Sequence, residues 1–336
     1  MILLWGLRRD APMAQVHDAL LRLGQPVRFL DQRATIDAIG EMSMACEVDA
    51  TITTSEGILD LASCDAVYLR PYDARDLPVV RLAGPGSGVW ERAVQLTELL
   101  LSWAQVSPGL VVNRPSAGES NASKPFQARQ LRAAGFCVPD TIITTDPDAV
   151  AEFREQHASV IYKSISGVRS IVAELRDEQM ARIECVRWCP TQFQERVPGT
   201  DYRVHVVGTE LFAAEIECDA VDYRYAGRQG QPVRMRAASV PDEVAQKCVA
   251  ASRGMGLELS GVDLRRTADG SWYCFEINPS PGFTYYQAAT GQRIDEAVAR
   301  LLISGTPTPR KLWTGAPPVI AAGPAESRER LAPVGP

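Results

Sequence analysis

The stretch LSGVDLRRTADGSWYCFEINPSPG, residues 259–282, constrains this chain more than any other. Two alternating runs flank the turn TADG, and Asp269-Gly270 is a strong hairpin signal. Antiparallel pairing across that turn brings the neighbourhood of Asp263 opposite that of Glu276. Strand side chains repeat every two residues, so Glu276 and Asn278 share a side. Two carboxylates and one amide oxygen converging on one sheet face form a hard-oxygen set. Mg²⁺ takes such sets, with phosphate and water filling the remaining positions. A pair of surface acids on a half-exposed strand would leave a similar pattern. The sequel separates the two readings. Pro279 and Pro281 stiffen the exit, a rigidity that a solvated strand does not need.

The chain as a whole has the composition of an ordinary soluble globular protein: 336 residues, 46% hydrophobic, 23% charged, enough for two or more structural units. The net charge of −6 argues against a nucleic-acid binder, which usually carries a basic surface. No apolar run approaches the roughly 18 residues of a membrane span. The opening MILLWGLRRDAP places its charges after the apolar stretch, the wrong order for a secretory signal, so a cytoplasmic location is expected. Eight scattered cysteines fit small buried hydrophobes better than disulfides. The lone Cys185-Cys189 pair lacks the second pair or the histidine of a zinc site.

The hydrophobic pattern divides the chain. MILLWG, an amphipathic helix over 10–23 and the strand VRFLD make a β-α-β opening, which predicts a small, mostly parallel sheet. Strands are expected at 66–73 and 109–115, with a helix over 89–104. GPGSG at 84–88 lacks the ending of a phosphate-binding P-loop and reads as a turn before that helix. Further on come a helix over 120–134, the strand TIITT, and a helix start at Asp146-Pro147. Residues 159–172 read as strand, Gly-containing turn and strand. TQFQERV, YRVHVVG and ELFAAEIE alternate as strands, the last two forming a hairpin about Gly208-Thr209. Helices are expected over 241–256 and 293–304. From about 306 the chain is rich in Pro, Ala and Gly, which predicts a mobile tail.

Two lysines join the hard-oxygen set as candidates. Lys163 ends the strand VIYK beside the turn SISG, whose N–H groups, Gly167 among them, can form a nest for phosphate oxygens. Lys124 lies near a helix start. Glu195 stands where a strand gives way to a loop, exposing backbone groups that can pair with an adenine edge. DAVDYRYAGRQGQPVRMR, residues 219–236, packs Arg224, Arg228, Arg234 and Arg236 into an acidic protein. Planar guanidinium groups suit carboxylates, so this loop, Arg228 in particular, is expected to hold an acidic acceptor. His205, inside an alternating strand, reads as structural.

In order, SK, YKSISG, QERVPGTDYRVHVVG, GVDLRR and FEINPSPG resemble the ATP-grasp superfamily, closest to its RimK-like carboxylate–amine ligases, over roughly residues 110–304. AAEIECDAVDYRYAG and NPSPGFTYYQAATGQRIDEAVARLL are similar to the microviridin-type ligases that crosslink ribosomal peptides. DYRYAG stands here where that group has Asp-Trp-Arg. The resemblance implies an α/β fold, α+β in its C-terminal half, with an N-terminal αβ domain over 1–110. Central and C-terminal ATP-grasp subdomains would span 111–190 and 191–305, and a flexible tail 306–336. It implies that Lys124 and Lys163 hold phosphates, that Glu195 with the backbone of Arg196 and Val197 binds adenine, and that Asp201 binds ribose. Asp263, Glu276 and Asn278 would ligate two Mg²⁺ ions, with Arg203 and Arg265 facing the transferred phosphoryl group.

The implied reaction activates a carboxylate as an acylphosphate, releasing ADP, and joins it to an amine, or to a hydroxyl. The acid would be a peptide or an amino acid, and a homo-oligomer is possible. Two other functions share the ATP site. A small-molecule kinase has no further feature in its favour. A nucleotide-binding regulator that no longer turns over would not need the intact Asp263, Glu276 and Asn278.

Overall fold

The computed structural model describes residues 1–34, 36–44, 48–165, 172–218, 223 and 230–305. The expectations for Gly167, Arg224, Arg228 and the tail from 306 lie outside the described residues.

The N-terminal unit is built on β1 (Ile2–Gly6), α1 (Ala11–Arg22) and β2 (Val27–Asp31). The antiparallel strands β3 (Ile39–Met44), β4 (Val48–Thr54) and β5 (Gly57–Asp60) follow, then β6 (Ala66–Arg70), α2 (Pro78–Ala83), α3 (Gly88–Val106) and β7 (Leu110–Val112). The main sheet has the order β2-β1-β6-β7, all parallel. Local chemistry sets the helix ends. Asp10 caps α1 by accepting from the Met13 N–H at 3.2 Å, Pro12 fits the first turn, and Gly24, at φ +69°, ends the run. Ser87 caps α3 in the same way, so GPGSG ends one helix and starts the next.

Period-two alternation gives the parallel sheet two buried faces. Leu3, Trp5, Val67, Leu69 and Val111 pack against Leu96, Leu100 and Trp103 of α3 and Ala50 and Ile52 of β4. Ile2, Leu4, Ala66, Tyr68, Leu110 and Val112 pack against α1 and the last described helix. Strands β3–β5 were not anticipated, although IGEMSM and VDATITTSEGILD alternate in the strand manner.

After a 3₁₀ segment, Pro115–Ala122, come α4 (Lys124–Ala133), β8 (Thr141–Thr144), α5 (Pro147–Gln156), β9 (Val160–Ser164), β10 (Ala173–Glu174), α6 (Asp177–Met180) and β11 (Thr191–Glu195). These strands form a sheet in the order β10-β9-β11-β8. By pairing with β8 and β9, β11 belongs to this sheet, which the chain leaves after Glu195. Helix α4 begins four residues later than expected, because Pro115 and the segment after it take the tighter 3₁₀ turn.

The last sheet holds β12 (Thr200–Val207), β13 (Glu210–Glu217), β14 (Arg234–Ala238), β15 (Leu259–Arg266) and β16 (Trp272–Asn278), in the order β14-β13-β12-β15-β16. One face buries Tyr202, Val204, Val206, Val262, Leu264, Cys274 and Ile277 beneath α7 (Asp242–Gly254). Helices α8 (Thr284–Thr290) and α9 (Ile294–Ser304) follow β16, and Ile294, Val298 and Leu302 of α9 enter the N-terminal core. Helix α9 therefore ties the third sheet back onto the first. No helix among the described residues is long and apolar enough to cross a membrane.

Candidate functional site

The hairpin pairs as its sequence indicates, Asp263 opposite Glu276 and Gly261 opposite Asn278. One irregularity decides what the hairpin presents. The register shifts after Asp263, so Leu264 pairs with Cys274 and Phe275 is the extra residue on β16. Cys274 and Ile277 are both fully buried in the core, three residues apart. A regular strand would put Glu276 on the same side as Cys274. The bulge at Phe275 turns Glu276 to the opposite face, beside Asp263 and Asn278.

The three side chains converge. The Asn278 amide donates to Glu276 Oε1 at 3.1 Å and to Asp263 Oδ2 at 3.4 Å. Rotating that carboxamide by half a turn presents its oxygen where its nitrogen stands. The donor set thus fits a hard divalent cation. Lys124 of α4 donates to Glu276 Oε2 at 3.2 Å, and Arg203 of β12 donates to Asp263 Oδ1 at 2.5 Å. Burial opposes the charge on Arg203, but Asp263, together with Tyr286 and Tyr223, outweighs that cost, and its guanidinium is held above its ordinary range.

Side-chain amides outside this face hold the segment in place. Strand β16 is the sheet edge, where open backbone groups need partners. Gln127, one turn along α4 from Lys124, donates to the Ile277 carbonyl at 2.9 Å and accepts from the Ile277 N–H at 3.0 Å. It stands in for a missing strand, gripping the residue between Glu276 and Asn278. Asn113, just beyond β7, donates to the carbonyls of Leu259 and Pro279 and accepts from the N–H groups of Glu258 and Leu259. Arg70, at the end of β6, donates to Ser280 Oγ at 2.8 Å and to the Pro281 carbonyl at 3.2 Å. The stiff Pro-Ser-Pro exit is thereby fastened to the carboxyl ends of the parallel sheet. Gln127, Asn113 and Arg70 were not singled out from sequence, because only the fold brings them to residues more than a hundred positions away.

Arg265 stands differently from Arg203. Its Nε and Nη2 bind both oxygens of Asp201 at 2.7 and 3.0 Å, and its Nη1 donates to the Val197 carbonyl at 2.7 Å. Its guanidinium also lies 5.2 Å from the centre of the Phe275 ring. Glu195 ends β11, its carboxylate 3.5 Å from His157 Nδ1. Asp140, His157 and Glu195 bring ligand atoms within 4.8 Å of one another, a second cluster separate from the hairpin set. The Arg196 N–H is taken by the Ser159 carbonyl. Within the described residues, the Arg196 carbonyl and the Val197 N–H have no hydrogen bond, an acceptor and a donor side by side. Lys163 lies on β9 opposite Gln192, in the other sheet.

The arginine-rich stretch needs a correction. Arg234 and Arg236 do not lie in a loop. They belong to β14, which pairs with β13, and Arg236 forms an ion pair with Glu215. Arg224 and Arg228 lie outside the described residues. Tyr223 is described, and its hydroxyl is 2.8 Å from that of Tyr286. His205 is fully buried, its ring 5.0 Å from that of Tyr286. Burial, reinforced by the charge of Arg203, pushes its pKa well below the usual range, so it is neutral.

Comparison with known proteins gives this geometry a family. Residues 122–302 match the RimK-like ATP-grasp domain. A probable alpha-L-glutamate ligase of Marinobacter nauticus is 27% identical over 213 residues, 60% of this chain and 68% of that protein. Its counterpart in Pseudoalteromonas translucida is 27% identical over 194 residues, and the match covers 64% of its length. Among solved structures, the ATP-grasp ligase PsnB, complexed with a phosphomimetic variant of a minimal precursor, Mg and ADP, superposes with a TM-score of 0.74. That match covers 90% of this chain and 98% of PsnB at 27% identity. A RiPP-associated ATP-grasp ligase of Chryseobacterium gregarium shares the fold at a TM-score of 0.77 and 19% identity. With the domain match spanning more than half its length, the chain belongs to the RimK-like ATP-grasp family.

Proposed function

We propose that the protein is an ATP-dependent ligase that converts a carboxylate of a peptide or amino acid into an acylphosphate and joins it to an amine. The observation that carries this reading is the convergence of Asp263, Glu276 and Asn278 on one face, with Arg203 and Lys124 on the two carboxylates. A kinase or a binding protein shares the ATP fold, but the relatives that span most of this chain are ligases.

In this reading Asp263, Glu276 and Asn278 would hold two divalent cations, Mg²⁺ by their donor set, which would supply neutralisation of the phosphate charge. The remaining work falls to the chain's own residues. Lys124 and Lys163, with Gly167, hold the phosphates. The Arg196 carbonyl and Val197 N–H take the adenine edge beside Glu195, and Asp201, fixed by Arg265, meets the ribose. Arg203 faces the γ-phosphoryl group. A substrate carboxylate attacks that phosphorus, the bond to the β-phosphate oxygen breaks, and ADP leaves. An amine then attacks the acyl carbon and inorganic phosphate departs. Such transfer needs positioning and charge stabilisation more than protein nucleophiles. The acidic acceptor is held by the segment containing Arg228. The test is release of ADP and phosphate from ATP with a panel of glutamate-containing peptides and free amino acids. Release that requires acid and amine together supports the ligase. Release with a hydroxyl compound alone, or none with any pair, contradicts it.

A further inference from the structure

Gly261 sits in the middle of β15, opposite His205 of β12 on one side and Asn278 of β16 on the other. Its φ is not positive, so an ordinary strand backbone does not demand glycine there. Glycine inside a strand forfeits side-chain packing and often marks the close approach of another group. Here that group is specific. A Cβ built on Gly261 would stand 2.1 Å from Arg203 Nη2, 2.5 Å from its Cζ and 2.8 Å from its Nε. All three nearest atoms belong to Arg203. The case differs from Gly199, where the first obstacle is the Arg266 carbonyl oxygen at 2.3 Å, and from Gly109, where it is the Asp65 carbonyl oxygen at 2.6 Å. Substitution at those two glycines collides with main chain. Substitution at Gly261 collides with one side chain.

That side chain has little freedom. Arg203 is 6% exposed. Asp263 holds its Nη1, and the Tyr286 ring lies 5.6 Å from its Cζ. Neutral His205 closes the same face two residues along β12. With walls on these sides, the bare main chain of Gly261 is the floor on which the guanidinium rests. We propose that Gly261 is the seat of Arg203, a positioning residue that holds this guanidinium at Asp263 and aims it at the transferred phosphoryl group. The inference rests on the phosphoryl-facing reading of Arg203. A methyl group at Gly261 lifts the guanidinium off its floor while leaving strand pairing intact.

The test is a double-substitution cycle on the full chain with Gly261→Ala, Arg203→Ala and both together. The probes are Mg-ADP and its non-hydrolysable triphosphate analogue Mg-AMPPNP, titrated by calorimetry, with thermal melting alongside. Gly261→Ala is expected to weaken AMPPNP by about tenfold, the loss of a charged hydrogen bond, and to leave ADP affinity nearly unchanged. Arg203→Ala should weaken AMPPNP at least as much, and the double variant no further, because neighbours acting through one group are not additive. Gly261→Ala should lower the melting temperature of the wild type and leave that of Arg203→Ala unchanged. Additive melting shifts, or unaltered AMPPNP affinity in Gly261→Ala where Arg203→Ala weakens it, overturn the seat. Unaltered AMPPNP affinity in Arg203→Ala with non-additive melting overturns the phosphoryl-facing role instead, so the two failures are distinguishable.

Discussion

Strands β12 and β15 carry two ion pairs side by side, Arg203 with Asp263 and Arg265 with Asp201, directly opposed in the register. The same two residue types appear in crossed order, and the family resemblance implies one role for both arginines. Their surroundings differ. Arg265 spends both arms and its Nε on Asp201 and the Val197 carbonyl, a bidentate clamp that fixes the link between two sheets. Arg203 makes one hydrogen bond to Asp263, and its Nε has no partner among the described residues. Its neighbour Asp263 also meets Asn278. A saturated guanidinium holds structure; in the proposed reading Arg203, beside the metal-type donor set, meets the incoming anion through its terminal nitrogens, its Nε being buried against Gly261. Position in a motif does not make that distinction; the count of satisfied donors does.

Substitutions can break this comparison. The largest effect should come from Glu276→Ala, which removes a proposed cation ligand whose carboxylate meets Lys124 and Asn278 on the site face. ATP turnover should fall by about a thousandfold or more while the circular dichroism spectrum is unchanged. Near-normal ADP release would remove the hairpin from the mechanism. Arg203→Ala should come next, lowering kcat about a hundredfold and raising the KM for ATP about tenfold. Arg265→Ala should spare the chemical step: kcat within about threefold, KM for ATP raised about tenfold, and a lower melting temperature. Equal kcat losses in the two variants would erase the contrast between clamp and reserve.

A smaller effect is expected at Gln127. Gln127→Leu keeps the volume and loses both hydrogen bonds to Ile277, so Glu276 and Asn278 are aimed less well. The Mg²⁺ concentration for half-maximal turnover should rise about tenfold, a magnitude typical of residues that orient metal ligands. An unshifted Mg²⁺ dependence with a lower melting temperature would make Gln127 purely structural. The smallest effect lies away from the site. Tyr202 and then Arg236 hold the Glu215 carboxyl below its ordinary value of 4.5. A depressed carboxyl stabilises the fold above that value and ceases to do so as pH falls through the folded pKa. Glu215→Gln should therefore cost about 0.5–1 kcal/mol at neutral pH, screening included, and the gap should close in acid.

Local chemistry made much of this legible. The Asp269-Gly270 turn, the period-two runs and the caps at Asp146 and Gly24 each follow from adjacent residues. The hairpin set was legible for the same reason, since a short turn fixes what faces what. The bulge at Phe275 was not, because it shows only in which of Cys274 and Glu276 enters the core. Gln127 and Asn113 act on strands some 145 to 166 positions away, and nothing near them in sequence marks that use. Arg234 and Arg236 misled because charge density alone does not separate a loop from an edge strand. Arg234 and Arg236 occupy β14, whose outward side tolerates charge.

The most direct test of the central claim follows the oxygen of the substrate acid. An acidic peptide or amino acid found active in the ADP-release panel is labelled with heavy oxygen in its carboxylate and turned over with Mg-ATP and its amine. Attack of that carboxylate on the γ-phosphorus predicts ADP and inorganic phosphate carrying one labelled oxygen. Unlabelled phosphate, or AMP with pyrophosphate, would contradict the acylphosphate route and the placement of Arg203 at the transferred group.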